Sequence, residues 1–253
     1  MQAIPSLVNM FLMLPRLGNT YLSQSSYSIL SDLFSLSLED SSNHVNAQLS
    51  DTLTVILLSP PSKSDSTLSP AWVQVLGNAM LAYAAIDADG CANEIRKVWK
   101  AIWVFLESKD SSTRKAASQS LASICRCFTP TLIATASDDE KSTLGGIITQ
   151  TNNALRSIAF AQSIPQLLCV ISSLIVCLQY RVGSREAPTA AERLLLPVIG
   201  YVGELRLQKG FEYKEDVDAT LATAMRVLGP EVLLGILPLN LEPSDRYESN
   251  FMI

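Results

Sequence analysis

A single histidine, His44, sets the limits of the chemistry this chain can do. It lies in a polar stretch, EDSSNHVN, where solvation is the expected state. Nucleophilic catalysis needs a base beside the nucleophile, so a Ser-His-Asp or Cys-His arrangement has almost nothing to be built from. Five cysteines occur, Cys91, Cys125, Cys127, Cys169 and Cys177. Their number is odd, they form no CxxC pair, and each sits in an apolar helical pattern. They are expected to be buried free thiols in a reducing compartment. A zinc site would need ligands that the sequence does not supply. The carboxylates of SDDEKS, Asp138, Asp139 and Glu140, fall where a helix is expected to begin and would complement its N-terminus. YKEDVD, 213–218, reads the same way. TLGGI, 143–147, has two glycines but neither a lysine nor a preceding strand, so no phosphate-cradling loop is evident. The expectation is no catalytic residue, no metal, no cofactor and no small-molecule substrate.

Cations are the other candidates. The net charge is −5 and the pI about 5.0, which argues against a protein that coats nucleic acid with its whole surface. Locally the balance reverses. Arg96, Lys97, Lys100, Lys109, Arg114, Lys115 and Arg126 are opposed by only Glu107 and Asp110. If the helices that carry them are adjacent, Arg96, Lys97, Lys100, Arg114 and Lys115 share a face able to contact RNA phosphates or an acidic protein. The competing reading is an ordinary solvated face. No exposed aromatic residue is interleaved, so stacking of single-stranded bases is unsupported.

The elements that would position these residues read as helices throughout. Hydrophobic residues make up 48% and charged residues 17% of the 253 positions. Leu, Ala, Ser and Ile dominate, and strand-like runs are scarce. Helices are expected at 3–14, 21–38 and 47–58, then from SPAW onward with Ser69 as cap and Pro70 in the first turn. Others are expected at about 91–107 and 110–128, then near 139–160, 164–182, 187–208 and 214–228. Gly229 and Pro230 should punctuate a last helix stopped by Pro238, and Pro197 should kink the helix that holds it. On α-helical geometry Ala117, Leu121, Ile124 and Phe128 form one apolar stripe, with Arg114, Lys115, Ser118 and Gln119 opposite. That helix is expected to pack against 91–107.

Paired helices without a strand point to an all-α fold, an α-solenoid of antiparallel helix pairs of HEAT or armadillo type. Asp110, Arg114, Ala117 and Leu121 fit the second helix of a HEAT pair. A compact helical bundle is the alternative. Residues 1–253 read as a single HEAT-like segment, a fragment of a longer protein, with 59–70 (SPPSKSDSTLSP) a flexible loop. Residues 157–180 carry no charge and would be long enough to cross a membrane. Gln162, Ser163, Pro165 and Gln166 interrupt the run, so a buried helix is the preferred reading.

YLSQSSYSILSDLFSL (21–36), VWKAIWVFLES (98–108), SSTRKAASQSLASI (111–124) and above all VLGPEVLLGILPLNLEP (227–243) resemble the conserved-domain region of the Rrp-twelve-like ribosomal RNA-processing proteins, large nucleolar HEAT-repeat proteins. The resemblance implies a non-enzymatic scaffold of the nucleus and nucleolus. Such a scaffold would bind pre-ribosomal RNA and assembly factors during maturation and export of the small-subunit (pre-40S/90S) precursor, with links to karyopherins and Ran. It offers no catalytic residues to transfer. The alternative is a karyopherin-like, protein-binding adaptor for nuclear transport. An integral membrane protein and an enzyme rank behind both.

Overall fold

Trp72, Leu76, Ala79 and Met80 recur at helical spacing, but so do Val73, Val75 and Ala82 on the remaining sides, and all seven are buried. A helix apolar on most of its circumference must be surrounded. The computed structural model describes residues 3–36, 49–137, 139–181 and 186–237, and in it that helix is α4 (Leu68–Ile86). It packs against α2 (Thr20–Leu36), α3 (Leu49–Leu57), α5 (Ala88–Trp103) and α6 (Ser111–Cys125), while α1 (Ala3–Met13) rests on α2 and α3. These helices make one compact unit, 1–129; residues 130–253 make a second. All described elements are helical, apart from one isolated bridge between Arg181 and Thr189.

The second unit contains α7 (Pro130–Ala134), α8 (Thr143–Leu155), α9 (Ile164–Cys177), α10 (Ala190–Leu207), α11 (Lys214–Leu228) and α12 (Pro230–Ile236). Ile158–Cys177 is long and apolar enough, by length and composition, to cross a membrane. Here its first six residues form a 3-10 turn, Pro165 opens α9, and Leu167, Leu168, Val170, Ile171, Leu174 and Ile175 are buried within the unit. Helix α11 supplies much of the cover, with Val217, Thr220, Ala224 and Leu228 facing inward and Thr220 accepting a hydrogen bond from Ser172.

Local chemistry fixes where helices start. Asp110 caps α6: its carboxylate accepts from the Thr113 N–H at 2.7 Å and from the Ser112 and Thr113 hydroxyls at 2.6 and 2.7 Å. Those donors, Ser112 first, hold the Asp110 pKa down to about 2. The folded pKa lies below the unfolded one, so this stabilisation is complete above about pH 4 and is lost as pH falls toward 2. Asp110→Ala is expected to cost about 1 kcal/mol at pH 7. The gap between the urea midpoints of the two proteins should narrow at pH 2.5.

Several starts differ from the sequence reading. Ser69 does not cap α4. Asp65 Oδ1 accepts the Thr67 and Leu68 N–H groups, and the buried Ser69 hydroxyl donates to the Ser62 carbonyl. DADG does not break the chain for long, because Asp87 caps α5 by accepting from the Gly90 N–H. Asp139 and Glu140 precede α8 without entering its first turn, which Ser142 caps. The 91–107 helix is α-helical to Trp103 and 3-10 from Val104 to Glu107. Helix α10 begins with a reciprocal cap: Thr189 Oγ1 accepts from the Glu192 N–H, and the Glu192 carboxylate accepts from the Thr189 N–H. Pro197 lies inside α10 at an exposed position, where the carbonyl left without a donor can face water. Gly229, at φ +90°, ends α11, and Pro230 opens α12. The stop assigned to Pro238 and the solvated His44 lie outside the described residues.

Helix α6 also has a different principal neighbour. It packs against α5 and the 3-10 turn that follows, as expected, but runs mainly along α4. The approach is closest at Gly77, where an added Cβ would sit 2.9 Å from the Ser120 Cβ. Ser118 and Ser120 are therefore buried, and Ser118 is not on the solvent side. On α2 the buried face is Tyr27, Leu30 and Phe34 with three serines, whereas Tyr21 is 80% exposed and Leu22 is exposed too.

Candidate functional site

Helix α5 divides cleanly by periodicity. Cys91, Ile95, Val98, Trp99, Ile102 and Trp103 are buried, with the two indoles stacked at 5.8 Å. Arg96, Lys97 and Lys100 take the remaining angular positions and are exposed. Residues three and four apart are neighbours on a helix surface, so the three cations form one patch. Lys97 Nζ lies 3.4 Å from Glu94 Oε2, a pair across one turn that offsets part of the charge.

On α6, Ser112, Lys115 and Gln119 form the exposed stripe, and Arg126 follows just beyond the helix end. Lys115 thus presents its charge to solvent. Arg114 is placed differently. It is half-buried, and its Nη1 donates to the carbonyls of Ser108 and Lys109, both at 2.9 Å. It brackets the turn between the 3-10 segment and α6. The structure brings Arg96, Lys97 and Lys100 together on one surface, places Lys115 on the next helix, and gives Arg114 a task inside the fold.

Arginines of the second unit are engaged in similar ways. Arg206 pairs with Asp218, joining α10 to α11. Arg181 donates to the Ala187 carbonyl and approaches Glu192 at 3.7 Å. Arg156 lies 3.6 Å over the ring of Tyr201, a cation–π contact that spacing could not show because the partners are 45 positions apart in sequence.

None of the five cysteines forms a disulfide, and Cys91, Cys125 and Cys127 are buried as expected. Cys169 is exposed and Cys177 half-buried, because the apolar α9 is not covered on every side. The Cys127 pKa is raised, first by its hydrogen bond with Cys91 and then by burial, so this thiol stays protonated and is a poor nucleophile. Among the described residues, no three His, Cys, Asp or Glu side chains are grouped so that they could hold a metal ion.

What the arrangement can do is adhere: an exposed cationic helix face in a chain built of stacked helices. The family model described as "Ribosomal RNA-processing protein 12, HEAT repeats" matches residues 107–253, more than half of the chain. The chain belongs to that family. The Schizosaccharomyces pombe protein named ribosomal RNA-processing protein 12 is similar as well, 29% identical over 195 residues, which cover 77% of this chain and 16% of that protein. The chain therefore spans only a small part of the length of this relative. Membership of the ribosomal RNA-processing protein 12 family fixes the fold class as all-α, of the HEAT α-solenoid kind, in agreement with the helices described above. Arg114 and Lys115 lie within the matched segment, and Arg96, Lys97 and Lys100 just before it.

Proposed function

We propose that this chain is a non-catalytic scaffold segment in ribosome biogenesis. It would contact pre-ribosomal RNA through the α5 cations Arg96, Lys97 and Lys100 with Lys115 of α6, and hold assembly factors along its helical surface. The reading takes residues 1–253 as one HEAT-bearing segment of a longer protein, with 58–67 joining α3 to α4. It places the work in the nucleus and nucleolus, on small-subunit (pre-40S/90S) precursors. The observation that carries it is membership of a ribosomal RNA-processing family together with a cationic helix face in a chain of net charge −5.

The test is the triple charge reversal Arg96→Glu, Lys97→Glu, Lys100→Glu. All three side chains are exposed, so far-UV circular dichroism should not change. Each cation that neutralises a phosphate adds about 0.7–0.9 to the slope of log affinity against log salt. Loss of three such contacts is expected to lower the slope by about 2–2.7 and to weaken RNA binding at least about tenfold at low salt. An unchanged slope would remove RNA from the direct partners of this face.

A protein-binding adaptor for nuclear transport, with karyopherins and Ran among its partners, is favoured by a different observation. Met10, Met13, Tyr21 and Leu22 are large apolar side chains left exposed in the first unit. Partner capture that survives nuclease treatment and the triple reversal would support it.

A further inference from the structure

Three serine or threonine residues precede a proline in this chain, at Ser59–Pro60, Ser69–Pro70 and Thr129–Pro130. Kinases that require proline directly after the acceptor need an accessible hydroxyl on locally extended backbone. The structure separates the three. Ser69 is wholly buried with its hydroxyl bound to the Ser62 carbonyl, and Thr129 is buried as well. Ser59 is exposed, follows the 69%-exposed Leu58, and leads into Pro60 and Pro61, which lie outside any helix.

Ser59 also occupies a sensitive position. It closes the last turn of α3, where its N–H donates to the Ile56 carbonyl at 3.3 Å. The same carbonyl accepts the buried Trp72 Nε1–H at 3.1 Å, tying α3 to α4. A helix C-terminus carries partial negative charge. A phosphate there meets repulsion, and nothing in the last turn offsets it, since α3 has no basic residue in its final turn. The only cation within 59–70 is Lys63, which is already paired with Glu107 at 2.8 Å.

We infer that Ser59 is a phosphorylation site for a proline-directed kinase, and that its phosphorylation loosens the C-terminal turn of α3. In the transfer, Ser59 Oγ attacks the γ-phosphorus of ATP held by the kinase. The bond from that phosphorus to the bridging oxygen of ADP breaks, and the hydroxyl proton passes to the kinase's base.

The experiment incubates the folded, intact protein and its Ser59→Ala variant with each of two proline-directed kinases and ATP, then maps phosphopeptides by mass spectrometry. Phosphate is expected at Ser59 and absent from Ser69 and Thr129 unless the chain is first unfolded; the Ser59→Ala variant loses the 59 signal alone. Hydrogen exchange over 54–59 should then run about two- to fivefold faster in the phosphorylated protein. No phosphate at Ser59 in the folded protein with either kinase overturns the site. Phosphate at Ser59 with unchanged exchange overturns the switch.

Discussion

Trp72→Ala is expected to lower the stability of the first unit by about 3–5 kcal/mol, the range for deleting a large buried aromatic side chain. Trp72 is wholly buried, its ring lies 5.4 Å from that of Phe105, and its indole N–H reaches the Ile56 carbonyl. Alanine removes the packed volume and the indole hydrogen bond, leaving the Ile56 carbonyl with the Ser59 N–H as its donor. Typical domains are stable by about 5–15 kcal/mol, so the loss takes a large share of the total. Trp72→Phe keeps most of the volume and loses the hydrogen bond, and should cost about 1–3 kcal/mol. Urea unfolding followed by circular dichroism gives both values. Equal costs for the two variants would show that the hydrogen bond, and not the packing, dominates.

Gly77→Val should be the second large effect. An added Cβ would meet Ser120 Cβ and Oγ at 2.9 Å and Ser120 Cα at 3.1 Å, so backbone as well as side chain must yield. Overpacking of this kind costs about 1–3 kcal/mol, and the two valine methyl groups place it at the upper end. Gly77→Ala is a sharper test of sign. Alanine gains about 1 kcal/mol of helix propensity over glycine, yet the variant should still be less stable than the parent. Combining Gly77→Val with Ser120→Gly should recover more than the single changes predict, because the two positions share one contact. Additive costs would mean that α4 and α6 are not in close apposition there.

The helices were legible because apolar residues recur at three and four along most of the chain, and because turns at Asp110 and Gly229 carry recognisable capping and breaking residues. What a helix packs against was less legible. The stripe of Ala117, Leu121 and Ile124 says that α6 is covered on one side, and 91–107 supplies part of that cover, but most comes from α4, brought close by the small residues Gly77 and Ser120, which carry no periodic signal. Capping by Asp65 in place of Ser69 is decided by the path of the preceding turn. The cap at Thr189 has a readable signature, threonine followed three positions later by glutamate. The exposure of Arg96, Lys97 and Lys100 follows from the helical period alone. The role of Arg114 does not, because it depends on where the Ser108 and Lys109 carbonyls point.

The most direct test of the scaffold account is crosslinking of the tagged full-length protein to RNA in cells, with crosslinked peptides mapped. The account predicts crosslinks from pre-ribosomal RNA to peptides containing residues 96–100 or 115, reduced in the triple charge-reversal variant. Crosslinks confined to other parts of the protein, with this segment recovered free of RNA, would contradict it.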